Sequence, residues 1–237
     1  LVQGAADKVI TGIIEQEGYD LLAMGAYSHS RLRSLFITHH HSDHNADYGT
    51  LMLLAWQSNL QQPVRVWGPP PLRRMTSLFQ ELHAYDIEIR QQDEGRAPLA
   101  PLVQPHELTE GGLVMRDENV TVTAALVPHP PVFPAFAYRF DCGDRSIVFS
   151  GDTAPSESLV ELARGADVLV HEVIDLDAIA ETVRETPTAS SLRQHLERSH
   201  TPVQEVSRIA TAAGVKTLVL NHFVPGRPAR PDHVWFN

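Results

Sequence analysis

The chain is predicted to be α/β, and three observations carry that expectation. Short apolar runs rich in β-branched residues recur along it: Leu35-Phe36-Ile37, Ala124-Ala125-Leu126-Val127, Ser146-Ile147-Val148-Phe149, Val168-Leu169-Val170 and Thr217-Leu218-Val219-Leu220. Runs of that length bounded by turn residues read as buried strands. Stretches with the 3.6-residue apolar spacing of helices lie between them. Each run is also followed within a few residues by a His, Asp or Glu, and functional groups in open α/β sheets gather at the carboxyl ends of strands. A length of 237 residues suits one α/β domain with ample core.

Taken in order, residues 5–17 place Val9, Ile10, Ile13 and Ile14 on one helical face, residues 21–24 read as an apolar strand, and residues 31–36 read as a short helix feeding Ile37 and Thr38. Residues 46–60 read as a helix behind the following loop and 64–67 as a strand. Gly68-Pro69-Pro70-Pro71 is a turn, and 72–85 a second amphipathic helix. Residues 90–105, polar and proline-containing, read as a surface loop. Residues 120–126, 136–140 and 146–149 form an antiparallel set, with Cys142-Gly143-Asp144 at a hairpin turn. Helices are expected over 155–164, 176–185 and 202–213. No internal repeat or low-complexity segment is present.

Residues 38–44 read Thr-His-His-His-Ser-Asp-His and contain the pattern His39-x-His41-x-Asp43-His44. A loop after a strand can splay His39 and His41 toward one metal and Asp43 and His44 toward a second. Imidazole and carboxylate suit zinc and its neighbours. The competing readings are a solvated His-rich loop or a purification tag; a tag would be a pure His run at a terminus, whereas this run is interior and carries an aspartate. The other strand ends offer His129, Asp152, Glu172 and His222. Each has an ordinary alternative. His129 between prolines could be a turn histidine, Asp152 a helix N-cap, and His222 a core histidine. His171 reads as a structural residue pointing into the fold, leaving Glu172 to face the site.

Together these segments resemble the metallo-β-lactamase-fold hydrolases, in the branch containing ribonuclease Z and an arylsulfatase-like group, over residues 37–235. The most specific pieces are Thr38–His44, Val127-Pro128-His129-Pro130, Ser150-Gly151-Asp152-Thr153, Val170-His171-Glu172, Ser199-His200-Thr201 and Leu220-Asn221-His222-Phe223. The resemblance implies an αβ/βα sandwich with two divalent metal ions, zinc first and manganese or iron as alternatives. It implies one ion on His39, His41 and His129, a second on Asp43, His44 and His222, and Asp152 bridging the pair. Asp43 is counted with the catalytic residues as well. A water activated between the ions would attack the substrate. Ribonuclease Z pairs the histidine of an H-S-T segment with the glutamate of an H-E-A-T segment. By that likeness His200, oriented by Glu172, is the candidate general acid, against an ordinary role beside the N-terminus of the 202–213 helix. The class with a cysteine ligand does not fit, because the only cysteine is Cys142.

Residues 1–36 resemble instead the C-terminal part of a universal stress protein. Gly25 of that family's nucleotide loop is present, but Ser28 replaces its second glycine and Thr38 stands where its final Gly-Ser pair would begin, so ATP binding is not expected. The expected organisation is therefore a stress-protein-like segment over 1–36 and a metallo-β-lactamase-like domain over 37–237, truncated at both ends relative to that family. Strands missing from such a fold would leave an edge and an apolar face to cover, and a homo-oligomer, a dimer, is expected.

Nineteen Lys and Arg against 29 Asp and Glu give a formal net charge of −10. The only basic pairs noted are Arg73-Arg74 and Arg227 with Arg230. A chain that grips nucleic acid usually carries a basic face. In ribonuclease Z a long arm that holds tRNA separates the ligands matching His129 and Asp152, whereas 22 residues separate them here. The expectation is therefore no nucleic-acid partner and a small-molecule ester substrate, a phosphodiester or sulfate ester. Arg227 and Arg230 would hold its anion, unless they belong to a solvated tail. The alternatives are a lactone or β-lactam hydrolase, or an inactive metal-binding fusion product. One cysteine excludes an internal disulfide, no run reaches the length of a membrane span, and no signal peptide is visible, so a cytoplasmic protein without a membrane partner is expected.

Overall fold

Ser34-Leu35-Phe36 pairs in parallel with Arg65-Val66-Trp67, so residues 34–36 are a strand, as the apolar run Leu35-Phe36-Ile37 indicates, and not the end of the short helix expected over 31–36. The computed structural model describes residues 32–184 and 189–225. The sequence-predicted helix over 5–17, the strand over 21–24, and Arg227 and Arg230 lie outside the described residues. Two units divide the chain between Thr109 and Glu110.

In the first unit, strands β1 (Ser34–Phe36), β2 (Val64–Gly68) and β3 (Val103–Glu107) form a parallel sheet with β2 in the centre. Helices α1 (Ser42–Gln57), α2 (Leu72–Leu82) and α3 (Ala84–Asp93) connect them. Alternation along β2 buries Val64, Val66 and Gly68 while Arg65 and Trp67 take the other face. Helix α1 presents Tyr48, Met52 and Trp56, spaced four residues apart, to Leu35, Ile37, Val64, Val66 and Leu72. Burial of each such side chain stabilises by about 1.5–3 kcal/mol.

Three expectations change here. Helix α1 begins at Ser42, inside the His-rich motif, so Asp43 and His44 sit on its first turn. The helix expected over 72–85 breaks at His83, which caps the end of α2 and the start of α3 with non-helical φ −103° and ψ 12°. The loop expected over 90–105 contains the end of α3 and the start of β3. Pro105 disguised that strand, yet β3 is an edge strand of its sheet, where a proline removes no ladder bond that the sheet needs.

The second unit is a six-stranded mixed sheet in chain order: β4 (Gly112–Arg116), β5 (Val120–Leu126), β6 (Phe136–Cys142), β7 (Arg145–Phe149), β8 (Val168–Ile174) and β9 (Thr217–Val224). Pairing is antiparallel through β7 and parallel from β7 to β9. The hairpin expected at Gly143-Asp144 is present, with Cys142 opposite Arg145. Helices α4 (Glu157–Ala163), α5 (Leu176–Arg184), α6 (Ala189–Ser199) and α7 (Val203–Ala213) complete it. Leu159, Ala163, Ile209 and Ala213 from α4 and α7 pack with Val148 and Leu169 from the sheet. The parallel strands start in step because Asp167 accepts from the backbone N–H and hydroxyl of Ser146 and from Lys216 Nζ. The Lys216 bond, with the Ser146 N–H behind it, draws the Asp167 carboxyl down to about 2.

Gly49 on α1 lies against Phe79 of α2. A Cβ built there would lie 2.2 Å from the Cγ and Cδ2 atoms of Phe79, the rigid root of a ring rather than a flexible tip. Gly49→Ala should therefore lower stability by about 1–3 kcal/mol through overpacking, outweighing the roughly 1 kcal/mol that alanine adds in a helix interior. Urea unfolding should show the loss, and in a Phe79→Ala background, which lacks both clashing atoms, Gly49→Ala should cost little. An unchanged midpoint for Gly49→Ala would contradict the close packing.

Candidate metal centre

Each unit carries its own cluster of imidazoles and carboxylates. In the first, Ile37 ends the strand pairing with a bond from its N–H to Trp67 O (2.8 Å), and the chain turns into α1 over residues 38–41. His41 occupies the N-cap position, and the His44 N–H returns to His41 O at 3.1 Å. That turn gathers the motif. His39 Nε2 lies 3.1 Å from His41 Nδ1, the His39 and His44 ring centroids are 4.2 Å apart, and His44 Nε2 lies 3.5 Å from Asp43 Oδ2. His40, between the two ligand candidates, does something else. Its Nε2–H donates to Pro69 O at 2.6 Å, and its Nδ1 accepts from Asn45 Nδ2 at 2.8 Å. With both ring nitrogens engaged, His40 fixes the loop and offers nothing to a metal.

In the second unit Asp152 is the hub. It is 2% exposed, and its Oδ2 lies 3.5 Å from His222 Nε2, 3.9 Å from His129 Nε2 and 4.0 Å from His200 Nδ1. These separations reach or exceed the limit of a hydrogen bond. They approach the roughly 3.3 Å between ligand atoms sharing a tetrahedral ion at 2.0–2.1 Å. The donor set, imidazole with carboxylate, fits a divalent transition metal.

Several alternatives now resolve. Asp152 does not cap α4: Ser156 does, accepting from the Leu159 N–H. His222 is a half-buried residue of β9 rather than a core histidine. It is also the extra residue of a β-bulge, because Asn221 pairs with Glu172 and Phe223 with Val173. Its φ of +43° is costly for a residue with a Cβ, and a bulge of this kind re-aims a side chain. The strand ends foreseen at His171-Glu172 and His222 are thus mid-strand positions, since β8 and β9 run on to Ile174 and Val224.

The partner of each second nitrogen separates the histidines by role. His129 donates its Nδ1–H to Ser199 O at 2.8 Å, which turns Nε2 toward Asp152, the outer-shell arrangement metal-binding histidines use. His200 Nδ1 lies 2.9 Å from Glu172 Oε1. Its Nδ1–H is therefore donated to Glu172, and His200 is not disposed to bind an ion through the nitrogen nearest Asp152. The same Glu172 oxygen accepts from the Thr153 N–H at 2.8 Å, and Thr201 Oγ1 donates to Thr153 O at 2.6 Å. Burial pushes the Glu172 carboxyl above the usual carboxylate range, and the His200 bond pulls it part of the way back. His171 is fully buried and donates Nδ1–H to Glu172 O at 2.6 Å. Sequence reasoning missed Ser199, Thr153 and His40, whose roles rest on carbonyls and loop geometry, and His195, which lies on the unforeseen helix α6.

Comparison with known proteins agrees with this chemistry. Residues 20–223 match the family described as the Beta-lactamase superfamily domain. Ribonuclease Z of Mycobacterium marinum (strain ATCC BAA-535 / M) is 34% identical over 207 residues, covering 86% of this chain and 72% of that protein. The crystal structure of human tRNase Z, short form, superposes with a TM-score of 0.60 at 23% identity, over 84% of this chain and 75% of that one. The metallo-β-lactamase fold protein YhfI from Bacillus subtilis gives 0.55 at 19% identity, over 96% and 74%. The chain belongs to the β-lactamase superfamily, in its ribonuclease Z branch, and is a metallo-hydrolase with the α/β fold of that family.

These relatives correct one expectation. The absence of a nucleic-acid partner, and with it the small-molecule ester, conflicts with relatives named for ribonuclease and tRNase activity. The net charge of −10 was a poor guide, because it sums the whole chain while a substrate meets only the charges around the site. Among the described residues no helix is long and apolar enough to cross a membrane.

His171 gives the cluster a pH signature. Burial lowers its pKa from 6.5 to about 4, and its Nε2 has no hydrogen-bond partner among the described residues. Between those two values the unfolded chain takes up a proton that the folded chain refuses, so stability falls as pH falls from 6.5 toward 4 and the loss is complete below 4. The full contribution is about 3 kcal/mol at 1.36 kcal/mol per unit. Urea unfolding at pH 7 and pH 4.5 should show a larger acid-induced loss in the native chain than in His171→Asn; equal losses would remove His171 as the cause.

Proposed function

We propose that this chain is a metal-dependent RNA phosphodiesterase of the ribonuclease Z type. The observation that carries the reading is the His200–Glu172 pair beside Asp152: His200 Nδ1 is 2.9 Å from Glu172 Oε1 and 4.0 Å from Asp152 Oδ2. The names of the relatives, ribonuclease Z and tRNase Z, supply the substrate class. The ligand set follows the family resemblance, with His39, His41 and His129 for one ion, Asp43, His44 and His222 for the other, and Asp152 for both. The donor chemistry of the two clusters supports it. Two divalent ions, zinc first, would activate water and neutralise charge on the phosphate oxygens.

The chain's own residues supply the rest of the chemistry. The P–O bond to the leaving ribose breaks, and the leaving oxygen needs a proton. With Nδ1–H held by Glu172, His200 presents Nε2 for that transfer. Glu172 in turn stabilises the ring when it carries both protons, as a buried carboxylate does for a general acid–base histidine. Thr153 and Thr201 hold Glu172 in place through the chain of bonds from the Glu172 carboxylate to the Thr201 hydroxyl.

The decisive assay offers an end-labelled tRNA with a 3′ extension, an unstructured RNA and the matching DNA, each with zinc and with manganese. Cleavage of RNA is expected; no cleavage of either RNA under any condition would overturn the reading. Asp152→Ala should leave at most one bound ion by elemental analysis and no turnover, so two tightly held ions in that variant would end its bridging role. His200→Ala should keep its metal and lose about 10²–10⁴-fold in turnover. The loss should be greater for an alkoxide leaving group than for nitrophenolate, and an equal loss for both would mean that His200 is not the proton donor.

A further inference from the structure

His195 has no role in the chemistry above, yet it stands among the groups that perform it. It lies on α6 one turn before Ser199. Its ring centroid is 6.4 Å from that of His129 and 6.3 Å from that of His200, which are themselves 5.1 Å apart. Ser199, fully buried, connects these rings. Its carbonyl accepts the Nδ1–H of His129 at 2.8 Å. Its hydroxyl donates to the carbonyl of Pro130, the residue after His129.

Proton counting fixes the remaining contact. The Pro130 carbonyl can only accept, and a serine hydroxyl has one proton to give. At His195 Nδ1, 3.3 Å away, Ser199 Oγ must therefore accept, so His195 carries its proton on Nδ1. The order is His195 Nδ1–H to Ser199 Oγ–H to Pro130 O, with Ser199 O holding the His129 ring. The end of α6 thereby grips residues 129–130 at two points, one on the side chain and one on the backbone. The first sets the tautomer of His129 and the second sets the path of the chain that carries it.

We propose that Ser199 and His195 are positioning residues for His129, holding its Nε2 toward the metal position beside Asp152. This rests on the reading of His129 as a ligand. His195 orients the serine hydroxyl by donating to it, which leaves the hydroxyl proton for Pro130. Ser199→Ala keeps the carbonyl and removes only the backbone anchor, so it probes the second grip without unmaking the first.

The test is zinc affinity of the full chain, metal-stripped and then titrated against a chromophoric chelator, alongside its urea midpoint. Ser199→Ala should weaken zinc binding about 10-fold, the lower end of the roughly 10–100-fold typical of outer-shell partners, with a somewhat lower midpoint because the Pro130 carbonyl loses its buried donor. His195→Ala should weaken it in the same direction. His195→Asn, whose amide N–H can stand in for Nδ1–H, should restore native affinity, whereas His195→Gln, whose amide reaches the Nε2 position, should not. A purely structural role would not distinguish those two amides. Native affinity in Ser199→Ala, or equal behaviour of Asn and Gln at 195, overturns the proposal. If the native chain itself takes up no zinc, the ligand reading fails and the proposal fails with it.

Discussion

A buried carboxylate facing three imidazoles is the constraint on which the second unit is built. Asp152 is almost wholly removed from solvent, and an ionised carboxylate in that position is costly unless opposite charge or donors compensate it. The surrounding backbone is arranged to supply them. Gly151 takes the left-handed φ of +59° that turns the chain after β7. His129 arrives from the turn after β5, and His222 from a bulge that spends backbone strain to turn its ring inward. None of these features stabilises the fold on its own account. A bulge in the last strand of the sheet, and a histidine at φ +43°, are tolerable because the surrounding β8–β9 ladder is long enough to hold register on both sides of them.

Assignment of the second ring nitrogen is what turns a crowd of histidines into distinct functions. His129 gives Nδ1 to a backbone carbonyl and keeps Nε2 for the Asp152 side. His200 gives Nδ1 to the Glu172 carboxylate, which fixes its ring and leaves Nε2 unclaimed by that partner. His171 gives Nδ1 to the Glu172 carbonyl inside apolar packing and stays neutral. His40 engages both nitrogens and becomes a brace. The residue type is the same in all four; the neighbouring acceptor decides the chemistry.

This explains what could and could not be read from the sequence. The strands with apolar alternation or β-branched runs were legible, and so were His39, His41, Asp43, His44, His129, Asp152, Glu172 and His222 as candidates, because each follows or ends such a run, whereas His200 came from the family resemblance alone. Strand β3 was not, since Pro105 and two charged or polar neighbours hide it and only its edge position excuses the proline. Helix α6 was not, because Ala-Ser-Ser-Leu-Arg-Gln-His-Leu-Glu-Arg-Ser has too few apolar positions to show a buried stripe. Losing α6 hid both His195 and the carbonyl of Ser199. Outer-shell partners are often backbone carbonyls, which no residue letter announces.

The acidic balance of the chain misled for a physical reason rather than by accident. A net charge governs the field far from a protein, and at physiological ionic strength that field is screened beyond about 8 Å. A phosphate approaching the site responds to the groups within that radius. There the described chain offers imidazoles and a few carboxylates, whose negative charge bound dications would more than offset. Acidic residues elsewhere, such as Glu161 and Glu205 on α4 and α7, are already paired with Arg164 and Arg208 and add little to the potential at a distance. Whole-chain charge therefore bears on non-specific, long-range attraction to polyanions and says little about the chemistry at the site itself.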